Sequence, residues 1–445
     1  AIATQYTHAT KDTIYTAAKF AILYMLYKII TYRRTCMADI KPFCSIRPGK
    51  GLEANVAALP YDVYNRQEAK EAVKGNPLSF LNIDRAETGL ADEVDTYDPK
   101  VYERAQQLLT GQIADGTYIQ DEKPCYYLYE LTMQGRSQTG IVACASVDDY
   151  LSGVIMKHEN TRAEKEADRI RHVDTLSAQT GPIFLAYRTD DALEQIKQTE
   201  KQNMPYADFT SEDGIRHRMW QITDVDRISQ IQNCFANMEK IYIADGHHRC
   251  ASAVKVSLKR REENPGYTGN EEFNYFLSVL FAESELHIMD YNRVVKDLNG
   301  LSPEAFLEKV REKFTVHLNG DGTEAVHCDR KGMFGMYLEN RWYVLTQIGK
   351  KSEDPVEALD VSVLQNDLLA PILNIRDPKT DHFVVGIRGL AELERRCHTD
   401  CQAAFCLYPT SMEELFAVAD ADRLMPPKST WFEPKLRSGL FIHKI

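Results

Sequence analysis

The sequence predicts an α+β protein with two folded parts. Three observations carry that prediction: two hairpins marked by alternation and turn residues, helical periodicities placed between further apolar strands, and no regular strand–helix alternation. The first hairpin runs from Tyr126 to Cys144 and turns at Gln134-Gly135-Arg136. The second runs from Met336 to Leu345 and turns at Glu339-Asn340-Arg341. Apolar spacing predicts helices over Gln67–Val73, Pro99–Leu109, Thr161–Gln179, Pro303–Phe314 and Val361–Leu373. Further strands are expected at Pro182–Tyr187, Phe273–Phe281, Leu286–Met289 and Ala403–Tyr408. Thr410-Ser-Met-Glu413 fits a capping box opening the helix of Leu415–Val418.

Turn residues cluster at Asn299-Gly300-Leu301-Ser302-Pro303, where a boundary is expected. The division is then an extension over 1–36, a first domain over 37–300 and a C-terminal α+β domain over 301–445 with a basic, proline-rich tail. The apolar run Phe20–Tyr27 is flanked by lysines and is too short to span a bilayer. Met37-Ala-Asp-Ile-Lys-Pro-Phe reads as a natural start. Residues 1–36 are therefore expected to stand apart from the chemistry, with an amphipathic docking helix as the rival reading.

A chain of 445 residues can bury a sizeable core, and a net charge of −12 argues against a protein whose main task is gripping nucleic acid. Ten cysteines contain no C-x-x-C pair, and no secretory cleavage pattern follows the early apolar run, so reduced thiols in a cytoplasmic protein are expected. Cys397, Cys401 and Cys406 with His398 match no common zinc spacing, and no metal site is assigned. The motifs of zinc proteases, α/β-hydrolases, protein kinases and P-loop ATPases are absent.

Lys240-Ile-Tyr-Ile-Ala-Asp-Gly-His-His-Arg249 carries the densest chemistry. Ile241, Ile243 and Ala244 read as a buried strand, Gly246 as a sharp turn, and Ala251, Val254 and Leu258 as one face of a helix. Gly246, His247, His248 and Arg249 then fall at a helix N-terminus, where free N–H groups and the helix dipole favour phosphate. Asp245 could position a hydroxyl or a metal-bound water, and either histidine could move a proton near neutral pH. The bland alternative is a polar turn at the edge of the fold.

Three other segments offer partners. Lys157, His158, Glu159 and Arg162 precede a charged helix: the basic groups could face phosphates and Glu159 could act as a base. A capped, salt-bridged surface helix explains the same residues. Leu59-Pro-Tyr-Asp62 reads as a rigid turn presenting Asp62, and the turn alone is an equal account. The run from Met425 to Gly439 supplies donors at Lys428, Ser429, Thr430, Lys435 and Arg437 and aromatic surfaces at Trp431 and Phe432, with a docked tail as the competing reading.

In order along the chain, Ile40-Lys-Pro-Phe43, Leu59-Pro-Tyr-Asp-Val63, Asn76-Pro-Leu-Ser-Phe80, Lys157-His-Glu159, Ala244-Asp-Gly-His-His-Arg249 and Met425-Pro-Pro-Lys-Ser-Thr430 resemble the bacterial domain-of-unknown-function family 1015. Asn292, before Arg293, departs from that pattern. Asp245-Gly-His-His-Arg249 is also similar to the G-x-x-R segment of the ParB and sulfiredoxin superfamily, which includes CTP-binding partition proteins and free serine kinases. That second resemblance implies a mixed-sheet core holding nucleotide phosphates. It leads to an expected phosphotransferase using Mg²⁺ with ATP or ADP and a small hydroxyl metabolite, free serine foremost. Asp62, Glu159, Asp245, His247 and His248 would do the chemistry; Gly246, Arg249, Lys157, His158, Arg162, Lys428, Ser429 and Thr430 would bind phosphate. A ParB-like DNA-binding protein and a phosphoserine phosphatase are the rival readings. No membrane partner is expected, and the oligomeric state stays open.

Overall fold

The structure, a computed structural model, describes residues 37–350, 352–376, 383–387 and 389–445. The expectations for residues 1–36 lie outside these described residues. The fold is α+β, with two principal sheets.

The first sheet has nine strands: β1 (Ile40–Lys41), β2 (Tyr126–Met133), β3 (Arg136–Ser146), β4 (Ile155–Met156), β5 (Ile183–Tyr187), β6 (Ala207–Thr210), β7 (Arg216–Ile222), β8 (Ile241–Asp245) and β9 (Tyr275–Ala282). Their order is β4-β8-β5-β9-β3-β2-β7-β6, with β1 paired to the end of β3. The β8–β4 and β9–β5 pairs are parallel and the rest antiparallel, so the sheet is mixed.

Alternation assigns each residue of a central strand to one of two cores. On β2, Tyr127, Tyr129 and Leu131 enter one core, while Tyr126 and Leu128 enter the other. The second of these cores is closed by the helices Asp191–Glu200 and Val225–Ala236 through Leu193, Ile196, Ile231 and Phe235. The first is closed partly by the C-terminal tail, whose Phe432, Leu436, Leu440, Phe441 and Ile442 are buried in it.

The second sheet is wholly antiparallel: β10 (Asn292–Val295), β11 (Phe314–Leu318), β12 (Met333–Leu338), β13 (Arg341–Gln347), β14 (Phe383–Ile387) and β15 (Ala403–Leu407), ordered β11-β13-β12-β15-β10-β14. It therefore begins before the Asn299–Pro303 turn cluster, and the tail returns to the first core from Phe432 onward, while Met425 packs in the core of the second sheet. The helix Met412–Asp420 lies between the cores, giving Leu415, Phe416 and Ala419 to one and Val418 to the other.

Both expected hairpins form. Their turns place Gln134 and Gly135, and Glu339 and Asn340, at positive φ, the backbone that matches strand twist in a two-residue loop. Several boundaries move. The helix expected over Thr161–Gln179 spans Ala163–Leu176 and ends at Ser177 in the left-handed region, after which Ala178–Gln179 pair with His443–Lys444. The helix from Pro303 stops at Arg311, and Phe314 opens β11. Leu286–Met289 contributes only a bridge from Ile288 to Phe432. The capping box is shifted by one residue: Ser411 caps and Glu414 reciprocates, while the Thr410 hydroxyl donates to the Ser429 carbonyl at 3.1 Å.

Phe441 is fully buried, with ring centroids 5.3 Å from Tyr127 and 5.8 Å from Tyr129. Truncating it leaves a cavity under the central strands, so Phe441→Ala should cost about 3–5 kcal/mol of unfolding free energy. Urea denaturation checks this. A loss below about 1 kcal/mol would show that the tail is not part of the core.

Candidate active site

Strand β8 is buried up to Ala244, and its pairing with β5 is irregular between Ile243 and Asp245. Such an irregularity re-aims the strand end, and Asp245 emerges at the foot of a cleft. Gly246 follows at φ +90°, ψ 30° and caps α1 (His247–Glu263) without a side-chain bond. A side chain at Gly246 would meet the Arg249 guanidinium, with Nη2 3.1 Å from the position of a Cβ. Glycine thus serves both the turn and the close approach. The first-turn N–H groups of α1 have no partner within the helix, and the residues that carry them line the cleft.

The cleft encloses about 530 Å³ and is built from four distant segments plus Tyr291. The Pro60–Val63 turn brings Asp62; Arg85 pins it, with Nη1 donating to the carbonyls of Tyr61 at 3.0 Å and Tyr64 at 2.7 Å. The end of β4 brings His158 and Glu159. The β8–α1 turn brings Asp245 through Arg249. The tail brings Lys428, Ser429, Thr430, Trp431 and Lys435.

The tail is tied to both sheets. Met425 N–H donates to the His158 carbonyl at 2.8 Å, Arg293 Nη2 donates to the Lys428 carbonyl at 2.9 Å, and Met289 N–H donates to the Trp431 carbonyl at 2.8 Å. Asn292 is buried behind this support and has a structural place: its Oδ1 accepts from Leu407 N–H at 3.3 Å. Phe432 packs into the core against Phe184, so of the two tail aromatics only Trp431 faces the cleft.

Electrostatics centre on Asp245. Its Oδ2 accepts from Lys435 Nζ at 2.9 Å and its Oδ1 from Gly246 N–H at 2.9 Å. Burial works to raise its pKa, but Lys435 and Arg249 together with that N–H hold it well below the carboxylate range. The Lys435 ammonium is raised in turn, because Asp245 outweighs desolvation. Arg249 Nη1 donates to the Pro182 carbonyl at 2.5 Å.

Desolvation pushes the histidines down. His158, 1% exposed, is lowered to about 4, with Asp245 and the Ile243 backbone opposing. His247 is driven well below its ordinary value by burial and then by His158, whose ring lies edge-on at 4.5 Å. His248 is also lowered, by burial and then Lys165. Near neutral pH these rings are therefore neutral. His247 Nε2 accepts from His158 N–H at 3.4 Å and His248 Nε2 accepts from Arg162 N–H at 2.9 Å, which leaves the proton on Nδ1 of each. Nδ1 of His247 stands 3.8 Å from Glu159 Oε2.

Of the residues singled out in the sequence, Asp62, His158, Glu159, Asp245, Gly246, His247, His248, Arg249, Lys428, Ser429 and Thr430 share the cleft. Lys157 and Arg162 do not line it: Lys157 acts on His247 only through space, and Arg162 is the N-cap residue of the helix Ala163–Leu176. Tyr61 and Tyr291 were not marked as site residues. Among the described residues no group of three or more His, Cys, Asp or Glu is arranged to hold a metal, and no helix is long and apolar enough to cross a membrane.

The family model described as "Protein of unknown function (DUF1015)" matches residues 40–362. The chain belongs to the DUF1015 family. No curated protein matches it. Distant similarity to solved structures accompanies the family match. A free serine kinase in complex with AMP is 12% identical at a TM-score of 0.34, covering 67% of this DUF1015 chain and 91% of that chain. A conserved hypothetical protein from Pyrococcus furiosus is 12% identical at a TM-score of 0.33, covering 68% and 94%. SbnI with a C-terminal truncation, from Staphylococcus aureus, is 12% identical at a TM-score of 0.32, covering 67% and 87%.

Because burial lowers the pKa of His158, the unfolded chain takes up its proton first as pH falls. The stability that the neutral ring contributes is complete above about pH 6.5 and is lost on the way down to about 4. The stability gap between wild type and His158→Gln should shrink by about 2 kcal/mol from pH 7 to pH 5. Urea denaturation at the two pH values measures it, and a constant gap would refute the neutral buried ring.

Proposed function

We propose that this protein is a phosphotransferase that moves a phosphoryl group from a nucleotide to a small hydroxyl metabolite, with free serine the leading acceptor. One observation carries the reading: anion donors and a carboxylate from four distant segments meet in a single cleft. The N–H groups of His247, His248 and Arg249, the Arg249 guanidinium and the ammonium of Lys428 suit the donor's phosphates. Tyr291 and Trp431, with ring centroids 5.3 Å apart and planes tilted by 45°, both line the cleft, and either offers an aromatic face for a base. That pairing of an anion site with an aromatic wall favours a nucleotide over a bare polyphosphate.

Asp62 is the residue assigned to the acceptor hydroxyl. Both oxygens of Asp245 are already engaged by Lys435 and Gly246, so Asp245 orders the turn. Glu159, on the rim with 53% of its side chain exposed, is the carboxylate that would hold a Mg²⁺ ion shared with donor phosphates. Bound there, the ion would neutralise charge on the transferring group. The chain's own contribution is positioning and charge stabilisation, as phosphoryl transfer requires.

³¹P NMR of the full chain with Mg²⁺, L-serine and one of ATP, ADP, CTP or pyrophosphate tests the reading. A phosphoserine resonance with one nucleotide is expected. Arg249→Ala should abolish it, and Asp62→Asn should slow it by about 10²–10⁴-fold while AMP binding persists. No phosphorylated product from any nucleotide, or release of inorganic phosphate from phosphoserine alone, would overturn it.

A further inference from the structure

Behind the Pro60–Val63 turn lies a second cavity of about 220 Å³, and Tyr61 and Asp62 line both it and the cleft. Its wall carries charges of both signs. Glu87 is paired with Arg85 at 2.6 Å, and Asp168 with Arg169 at 2.7 Å while also accepting from Tyr102 Oη at 2.8 Å. Asp84 differs. It is 4% exposed, its Oδ1 accepts from the Thr180 hydroxyl at 3.0 Å, and the nearest basic ring nitrogen is His172 Nε2 at 3.9 Å. His172 is held neutral, lowered to about 4 chiefly by burial and by Arg169, and its Nε2 faces the Ile83 carbonyl at 3.2 Å. Among the described residues, no lysine or arginine nitrogen lies within 4.0 Å of Asp84.

The buried Arg169 guanidinium on the same wall acts on Asp84 through space without forming an ion pair with it, and a cation that enters beside a buried carboxylate can supply the direct partner it lacks. Here the carboxylate faces an empty space large enough for a small metabolite. At the side of the same cavity stands Lys165, exposed and outside every ion pair among the described residues. Its charge is felt by His248 in the cleft, so it stands near both spaces.

We propose that this chamber is the acceptor subsite and that it takes a small hydroxylated amino acid. The ammonium lies on Asp84, the carboxylate at Lys165, and the hydroxyl reaches Asp62 on the shared wall. The assignment rests on the phosphotransferase reading. In the transfer the acceptor's hydroxyl oxygen bonds to the terminal phosphorus of the donor. The bridging P–O bond breaks, its electron pair leaves with the shortened nucleotide, and the hydroxyl proton passes to Asp62.

Calorimetric titration of the full chain with L-serine, ethanolamine and glycerate reads the chamber without turnover. L-serine should bind, glycerate, which lacks the ammonium, at least tenfold more weakly. Asp84→Asn should weaken serine at least tenfold and leave AMP affinity unchanged. Lys165→Ala, at an exposed position where folding is not at risk, should weaken serine severalfold and leave ethanolamine unchanged. Serine binding with this pattern but no transfer would uphold the chamber and sink the kinase. Transfer to serine that ignores Asp84→Asn and Lys165→Ala, glycerate binding as tightly as serine, or no binding of any of the three would overturn the chamber.

Discussion

The link between Lys435 and Asp245 joins residues 190 positions apart, and the rest of the site depends on it. Asp245 ends a buried strand and starts the turn into α1. Its carboxylate must sit where the sheet opens into the cleft, beside a helix N-terminus that leaves its N–H groups uncovered. Without Lys435 that carboxylate would itself be the anion attracted to those groups. With Lys435 on one oxygen and Gly246 N–H on the other, it is satisfied in place, and the N–H groups of the following residues stay available. The ion pair therefore orders the turn and keeps the acid off the open N-terminus of the helix.

The same dependence explains why the tail is buried so firmly. A lysine that must reach the foot of a cleft from the end of the chain needs an anchored backbone on both sides. Phe432 on one side and Leu436, Leu440 and Phe441 on the other are core residues of the first sheet. Arg293 and Thr410, from the second sheet and the segment after it, hold the carbonyls of Lys428 and Ser429. The cleft is consequently closed by residues that also hold the two sheets together.

What the sequence made legible follows from how local each signal is. Asp245 to Arg249 could be read as an anion-binding turn because strand, glycine and helix are contiguous, and the geometry bears out that succession. Asp62 and His158 were visible as chemical candidates in short turns, but nothing nearby said that they face each other across one space. Lys157 and His158 are adjacent and were equally eligible. Only the tertiary fold separates them, since His158 lines the cleft and Lys157 does not. Ser411 rather than Thr410 caps its helix for a similar reason, since both hydroxyls suit the role locally and the Ser429 carbonyl, a tertiary partner, claims Thr410. Asp84, Arg169 and His172 lay wholly out of sight: an acid in a four-residue helix and two bases inside a charged helix read as surface until long-range packing buries them.

The burial that hid those residues also sets the character of the whole site. His158, His172 and His247 are each withdrawn from solvent and held neutral, so none adds a full positive charge to the anion cleft or to the chamber behind it. Fixed backbone N–H groups and neutral imidazoles can then orient an anion without the deep ground-state attraction that a cluster of protonated histidines would impose. An interaction strong in the bound ground state gives no rate advantage unless it strengthens further in the transition state. Under the phosphotransferase reading, phosphate would then be held by oriented N–H groups and by the fixed cations Lys428 and Arg249 that line the cleft, and not by protonated histidines. Neutral rings leave the positive charge of the cleft to side chains that stay charged at any pH at which the protein is folded.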